Sequence, residues 1–569
     1  MFSKLGKIKY TKKNSSFQIK IDDLSKGINN FEDYIIYKDK EINIYDRLCN
    51  HKGGKIISRK NEHICPVHNW KFHPEKGCYE NGVKKKKLEY FVKNNNLIID
   101  KTKLTPEIKK ISENDDKLKI RFFNHAFLLV EGKNFSFATD PWAIGPAFNT
   151  GWWLKYKTKS DWIEKLNKCS FIYISHNHPD HLNPLTLSKV DKNIPIVVPN
   201  FNTDSAGKYC DSLGFKNVIR IDFEQQYHLE KTNFIFTIFK SGDFREDSGI
   251  YFSCNKITGL FDVDSNIINF KRFPNVDIYA SSFAGGASGY PLMFDNYKED
   301  EQIQIARKIK NFILKNKISY LEEIKPKFFL PYASFFDLKL NQDKRIKKLI
   351  QKNSIVDYKS CCKKFNIDLL NVEKFDQFTF EGHKLKSSEV VNKEFFSDLN
   401  ENDYLKFYKK EYSEISFDFI KEYFENSGFK DNLLLYISLV DDDFLKSFKN
   451  YKIDFSKDNI SVEEIDKLIE SQATNSKDKK VLILKCRKES FLNTIYNKLP
   501  WEDILIGFQC KVMRNPNEYN AKFWHHFTNF YTTEKNVRLN IDCSSCLKID
   551  QFFDNKIFKK KISLKQVNS

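Results

Sequence analysis

Cys49-Asn-His51 is followed, after thirteen residues, by Cys65-Pro-Val-His68, and no other feature constrains the folding of this chain so tightly. Each pair couples one thiol to one imidazole, so a metal group held by both pairs must bring two loops within bonding distance of each other. Short alternating runs, Tyr34-Ile-Ile-Tyr37 and Ile42-Asn-Ile-Tyr45, precede the pairs and are broken by Gly, Asn and Lys. That texture predicts a small β domain carrying two ligand loops. The ligands suit a structural zinc ion or a [2Fe–2S] cluster. Zinc fingers more often pair Cys with Cys and His with His along the chain. A cluster with thiolates on one iron and imidazoles on the other takes one of each from each loop, as here. Such a cluster relays single electrons and does not itself attack a substrate.

A second signature, His176-Asn-His178-Pro-Asp180-His181, comes directly after the buried-strand run Phe171-Ile-Tyr-Ile-Ser175. Ligands of α/β proteins sit on loops leaving strand ends, and imidazole with carboxylate suits zinc or iron. Around this motif, Ile120–Val130 and Phe135–Ala138 read as paired strands. Ile196–Val198, Phe234–Phe239, Ile257–Val263, Val276–Ala280 and Lys327–Pro331 read as further strands, and Glu299–Lys317 as a helix. The mixed order is consistent with an αββα sandwich, which periodicity alone does not establish. Asn95–Asp116 is polar, contains Pro106 and reads as a linker. Past residue 386, Tyr408–Phe424 and Ser461–Ser471 read as helices, Val481–Lys485 as a strand, Phe491–Leu499 as a short helix and Ile504–Val512 as an apolar stretch. The expectation is a multidomain α+β protein divided at 1–108, 109–385 and 386–569.

The 569 residues suffice for several cores, and an apolar fraction of 41% with 52 Phe argues for a folded chain. The formal charge of +19 follows from a Lys-rich composition throughout; the sharper reading is a docking face for an acidic partner. With no zinc finger, glycine-rich phosphate loop or Arg-rich aromatic stripe, no nucleic-acid role is expected. No run approaches the roughly 18 apolar residues of a membrane span, and the start lacks an apolar segment suited to a signal peptide. Twelve Cys is not a disulfide-scaffold density, so a cytoplasmic protein is expected. Cys169, Cys254, Cys361 and Cys362 read as buried or incidental, not catalytic.

Cys49-Asn-His51-Lys-Gly-Gly54 with Cys65-Pro-Val-His68-Asn-Trp-Lys-Phe resembles the Rieske family. Cys49 and Cys65 would hold one iron, and His51 and His68 the other. Gly53 and Gly54 would let backbone approach the cluster, and Trp70 would pack beside it. The histidine loop resembles that of the metallo-β-lactamase superfamily. That likeness implies His176 and His178 at one metal, Asp180 and His181 at a second, and Asp264 as a bridging carboxylate. The further histidine usual there is absent from Ser241-Gly-Asp243-Phe-Arg-Glu-Asp247. Asp243 is the expected substitute, which leans the site toward iron.

Longer strings are more specific. Asp140-Pro-Trp-Ala-Ile-Gly-Pro-Ala-Phe-Asn-Thr-Gly-Trp-Trp153, Tyr173-Ile-Ser-His-Asn-His-Pro-Asp-His181 and Ser282-Phe-Ala-Gly-Gly-Ala-Ser-Gly-Tyr-Pro291 resemble the CMP-N-acetylneuraminate hydroxylase family. So do Ile506-Gly-Phe-Gln509 and Phe523-Trp-His-His-Phe527. The resemblance implies a Rieske β domain, a metallo-β-lactamase-like αββα sandwich and a C-terminal mixed α/β domain. It implies O₂-dependent hydroxylation of the N-acetyl methyl group of a CMP-linked sialic acid at one or two non-haem irons. Electrons would come from NAD(P)H through a reductase and a small carrier, ferredoxin or cytochrome b5-like.

The residue chemistry agrees with that class. A methyl C–H is not acidic, so acid–base groups alone cannot open it, whereas iron with O₂ and outside electrons can. Asp140 is expected to orient or ligate near the metal, and His125 to face the pocket. Gly285, Gly286, Ser288 and Gly289 form a donor-rich segment suited to a phosphate or sugar. Trp152 and Trp153 are candidates to flank the base or sugar, with Arg514 and His525 as further pocket candidates. Three other readings stand beside this one, the last a non-catalytic redox carrier whose second domain only binds nucleotide, which needs no open metal site such as Asp180, His181 and Asp264 suggest. The first is an oxygenase of the same architecture acting on a different nucleotide-linked amide or amine. The second is a zinc-dependent hydrolase of the metallo-β-lactamase class, which has no evident need for the N-terminal cluster.

Overall fold

The structure is a computed structural model. It describes residues 2–7, 17–31, 34–47, 49, 56–59, 62–65, 70–80, 84–99, 117–201, 203–223, 225–241, 246–254, 256–265, 270, 273, 275–457, 459–468 and 478–528.

Strands in the middle of the chain are apolar on both faces, and this dictates their covering. In Lys117–Asn124, Leu118, Ile120 and Phe122 join one core while Phe123 joins another; in Phe127–Glu131, Leu128 and Val130 part from Phe127 and Leu129 in the same way. Phe171 and Tyr173 are likewise separated from Ile172. Because side chains alternate across a strand, a sheet built from such segments must be covered on both sides. The result is an αββα sandwich of two eight-stranded sheets. One sheet centres on Ser136–Thr139 and Phe171–Tyr173, the other on Ile257–Val263 and Ile278–Ser282. The helices Trp162–Asn167 and Ser205–Ser212 pack on the outer face of the first sheet, and the long helix Glu299–Ile324 packs on the second.

The N-terminal residues build smaller sheets over two apolar clusters, one around Ile36, Ile44 and Leu97 and one around Tyr45, Phe72 and Tyr79. The C-terminal unit is a five-stranded sheet in which Leu433–Val440 and Lys480–Arg487 pair in parallel at the centre. Helices Phe417–Glu425, Lys488–Tyr496 and Ala521–Thr528 contribute to its core. It docks on the sandwich through backbone bonds from Val512 to Met293 and from Asp295 to Val512, both 2.8 Å, and through a buried Arg487–Asp343 pair at 2.6 Å. A Cβ added to Gly151 would lie 2.1 Å from the Gly507 carbonyl oxygen, so backbone meets backbone there and only glycine fits.

Several sequence expectations are corrected. Ser461–Ser471 was expected to be helical, but Ser461–Ile465 is a strand antiparallel to Ser447–Asp454; pairing with a distant partner overrides local propensity. Tyr408–Phe424 is two helices, Glu401–Glu411 and Phe417–Glu425, because the Ser416 hydroxyl caps the second by accepting from Phe419 N. Ile120–Val130 is a hairpin turning at His125 and Ala126. Within the expected linker, Asn96–Ile99 pairs with Phe17–Lys20, since Leu97, Ile98 and Ile99 are buried. Phe2–Lys7 pairs with Gln225–Leu229 at the edge of the second sheet of the sandwich, and Lys384–Glu389 is an edge strand of the first.

Candidate metal centre

The site gathers at loops where both sheets end. The His176–His181 loop follows Phe171–Tyr173, Asp264 follows Ile257–Val263, Asp140 follows Ser136–Thr139, and His125 occupies the turn between the first two strands of the sandwich. Three of these positions carry left-handed backbone: His125 at φ 38°, Asp140 at φ 40° and Val263, which precedes Asp264, at φ 54°. For a β-branched valine this is a genuine outlier, and such strain, of order 1–3 kcal/mol per residue, concentrates at functional sites.

One buried chain of hydrogen bonds orients two of the histidines. Asp140 accepts from Ser175 N and Ser175 Oγ, each at 2.7 Å, and lies 3.1 Å from His181 Nδ1. Ser175 Oγ is 2.9 Å from His176 Nδ1. The arrangement requires both rings to carry the proton on Nδ1, leaving the Nε2 lone pairs of His176 and His181 for a metal. Outer-shell carboxylates fix metal-binding histidines in this way. Asp140 thus contacts both Ser175 and His181 Nδ1. Burial raises its own pKa, with His181 and Ser175 opposing.

The inner atoms converge. His181 Nε2 is 3.3 Å from Asp180 Oδ2 and 3.5 Å from Asp264 Oδ2. His125 Nε2 is 3.0 Å from Asp180 Oδ2, and His176 Nε2 is 2.9 Å from His178 Nδ1. Two triads therefore have metal-ligand spacing, His125 with Asp180 and His181, and His176 with His181 and Asp264. Burial opposes charge on Asp180, but His181 and His125 hold its carboxyl well below the usual range. Burial also drives His176 well below the usual imidazole range, with His181 and His178 adding to the effect. His181 Nε2 and Asp180 Oδ1 are buried and make no hydrogen bond. Orphaned polar atoms in a packed interior cost about 1–3 kcal/mol each, and a cation between them would remove that cost. The donor set fits a non-haem iron centre.

Three neighbouring carboxylates carry no metal-ligand signal in the sequence. Asp247 Oδ1 is 4.0 Å from His176 Nε2, Glu502 Oε2 is 3.6 Å from His178 Nε2, and Asp503 is fully buried with its pKa pushed well up by burial. Asp247 closes the acidic run Ser241–Asp247 in which Asp243 is the expected ligand; Asp243 lies outside the described residues. Glu502 and Asp503 arrive from the C-terminal unit, in a sequence context that carries no metal signature.

A cavity of about 520 Å³ opens on the centre. His178, Asp180, Asp264, Trp152, Gly285, Gly286, Ser288 and Arg514 line it. Gly285 and Gly286 have φ 70° and 74°. Gly289 instead permits close approach to the Leu505 carbonyl, 2.4 Å from an added Cβ. Trp152 stacks on Phe336 at 3.5 Å between ring centres. Trp153 is away from the cavity wall, buried with its Nε1 donating to Thr150 O. His525 is buried on the helix Ala521–Thr528 and also lies off the wall, whereas its neighbour Trp524 is on it.

At the N-terminal site, Cys49 and Cys65 are both buried, in one cluster with Tyr45, Phe72 and Tyr79, and neither is disulfide-bonded. Trp70 packs against that cluster, its ring 5.1 Å from Tyr79. Two enclosed thiols fit a [2Fe–2S] cluster. His51, Gly53, Gly54 and His68 lie outside the described residues.

Residues 7–92 match the Rieske [2Fe–2S] domain. The chain is 29% identical over 563 residues to the cytidine monophosphate-N-acetylneuraminic acid hydroxylase of Macaca mulatta, covering 90% of this chain and 92% of the relative. The hydroxylases of Xenopus laevis and Mus musculus are each 28% identical, covering 87% and 89% of this chain and 88% and 94% of their own. The chain is a relative of these hydroxylases. Among solved structures, CmlA, a diiron β-hydroxylase from Streptomyces venezuelae, is 15% identical with a TM-score of 0.31, over 48% of this chain and 55% of that one. Among the described residues of this hydroxylase relative, no helix is long and apolar enough to cross a membrane.

Proposed function

We propose that the chain is an O₂-dependent monooxygenase that converts the N-acetyl group of CMP-N-acetylneuraminate to N-glycolyl. One oxygen atom enters a methyl C–H bond and the other leaves as water, which consumes two electrons and two protons. The observation that carries this reading is the joint presence of the buried thiols Cys49 and Cys65 and the imidazole–carboxylate centre, in a chain related over most of its length to proteins named for that reaction.

The chain's own residues have three tasks. Cys49, His51, Cys65 and His68 hold the electron-relay cluster. His176, His178, Asp180, His181 and Asp264, with His125 and Asp247 beside them, hold the catalytic iron or irons, and Asp243 remains a candidate ligand. When bound, these groups supply single-electron transfer and activation of O₂ toward an unreactive C–H bond. Asp140 keeps the Nε2 atoms of His176 and His181 facing inward. The cavity wall from Trp152 to Arg514 encloses the substrate and keeps bulk water from the reacting carbon.

The units divide accordingly: an N-terminal electron-entry domain to about residue 108, the catalytic sandwich, and a C-terminal unit from about residue 386 that closes the pocket. The electron donor is a small acidic carrier, ferredoxin or cytochrome b5-like, reduced by an NAD(P)H-dependent reductase in the cytoplasm. Within the basic run Lys84–Lys87, Lys85 is buried on Asp46 at 2.7 Å, so any docking charge there comes from its neighbours.

The test is anaerobic purification, iron quantification, and incubation with CMP-N-acetylneuraminate, O₂ and a reducing system. The N-glycolyl product is expected. Its absence from protein with a fully loaded, reducible cluster overturns the assignment, and zinc in place of iron would turn the reading to a hydrolase.

A further inference from the structure

A second, smaller cavity of about 190 Å³ adjoins the first, and Arg514, Tyr519 and Trp524 line both. Arg514 thus stands where the two meet. Its backbone is tied to the sandwich, its N–H bonded to Asn296 Oδ1 at 3.0 Å and its carbonyl accepting from Asn296 Nδ2 at 2.9 Å. Its guanidinium lies 5.0 Å from the Phe294 ring centre and donates Nε–H to Asn517 Oδ1 at 2.9 Å. Among the described residues, no carboxylate is within ion-pairing distance, and the two terminal nitrogens make no hydrogen bond. The side chain is only 7% exposed. An enclosed guanidinium held from one edge, with its fork facing open space, is built for an oxyanion supplied by a ligand. The other cations nearby are committed: Lys480 is 3.5 Å from Asp431, and Lys522 donates to the Lys430 carbonyl.

The two cavities differ in chemistry. The larger is walled in part by His178, Asp180 and Asp264 of the candidate metal centre. The smaller offers the rings of Tyr519 and Trp524 beside Leu433 and Leu482, on the two central strands of the C-terminal sheet. We propose that Arg514 receives the phosphate joining a nucleoside to its sugar, that the smaller cavity takes the pyrimidine nucleoside against Tyr519 and Trp524, and that the larger takes the acylamino sugar. This deepens the hydroxylase reading and rests on it for the identity of both the sugar and the base. It also assigns the C-terminal unit a task, recognition of the nucleotide end.

The probe is cytidine 5′-monophosphate, titrated calorimetrically into the full-length, metal-loaded protein. Wild type and His176→Ala are expected to bind it alike. Arg514→Lys keeps a charge but loses the fork, and is expected to weaken binding about tenfold or more, as loss of a charge-assisted bidentate contact does. The partly exposed Tyr519→Ala should weaken cytidine and its monophosphate together, whereas Arg514→Lys should affect only the phosphate ester. Thermal unfolding of each variant confirms a folded protein. Unchanged affinity in both folded variants overturns the proposal, as does an Arg514 dependence seen with free N-acetylneuraminate and not with the nucleotide. Nucleotide binding as described without N-glycolyl product would leave this site standing and remove the hydroxylase reading. Product formation with an unaltered KM in Arg514→Lys would do the reverse.

Discussion

Glu502 Oε2 lies 3.6 Å from Nε2 of His178, so a carboxylate from the C-terminal unit faces the outer nitrogen of a histidine in the sandwich. The inner nitrogen, Nδ1, is 2.9 Å from His176 Nε2. Burial disfavours a charged His178, but Glu502, Asp247 and Asp180 outweigh it and raise its pKa to about 9. The carboxylate therefore stands on the side of the ring away from His176 and favours a proton on His178 Nε2. Tyr519, on the wall of both cavities, hydrogen-bonds to Glu502 Oε1 at 3.3 Å, which connects the smaller cavity to the carboxylate facing His178.

Glu502→Gln should therefore loosen metal binding at the His176–His178 position by roughly 10- to 100-fold, the usual cost of losing such an outer partner. Equilibrium titration with Fe(II), or with Co(II) read by its absorption bands, checks this with no need for turnover. An unchanged metal affinity would remove Glu502 from the site.

Arg487 and Asp343 form a buried pair across the junction of the C-terminal unit and the sandwich. Burial raises the pKa of Asp343 despite the opposing Arg487 charge. Arg487→Ala would strand that carboxyl, and such losses typically cost about 3–5 kcal/mol. Denaturant unfolding should show a lower midpoint and an early transition of the C-terminal unit; replacing both partners by apolar residues should cost less.

Lys352 gives a pH signature away from the metal ligands. Burial lowers its pKa to about 7, with Lys155 adding to the effect and Asp337 opposing it. Its Nζ donates to the carbonyls of Ser334 and Phe336 at 3.0 and 3.1 Å. Between this value and the ordinary lysine range near 10.4, the unfolded chain keeps a proton that the folded chain has released. Stability then rises with pH across that window. Wild type should gain stability from pH 7 to 9 relative to Lys352→Met, read as the difference in unfolding midpoints.

How much of this was legible in the sequence depended on whether the ligands are neighbours in the chain. His176, His178, Asp180 and His181 share one loop after one buried strand, so spacing alone announced them. His125 and Asp140 were legible as candidates, but their relation to Asp180 and Ser175 depends on how the hairpin turn at His125 meets the loops after Ser136–Thr139 and Phe171–Tyr173 at the sheet end. Glu502 and Asp503 carried no local signal, because docking of a separate sheet brings them in. The same limit explains Ser461–Ile465: its Glu-rich spacing imitates a helix, and only pairing with Ser447–Asp454 makes it a strand. Trp152 and Trp153 show how finely the matter turns, since adjacent side chains point to opposite sides and only the first reaches the cavity.

The most direct test of the central claim, that this centre inserts an atom of O₂ into the N-acetyl group, is isotopic. Fully loaded wild type and His176→Ala are incubated with CMP-N-acetylneuraminate and a reducing system under oxygen-18-labelled dioxygen, and the product is read by mass spectrometry. Label in the glycolyl hydroxyl of the wild-type product, with turnover abolished in His176→Ala, is the predicted result. A product whose hydroxyl oxygen comes from water, or turnover that survives His176→Ala, would contradict it.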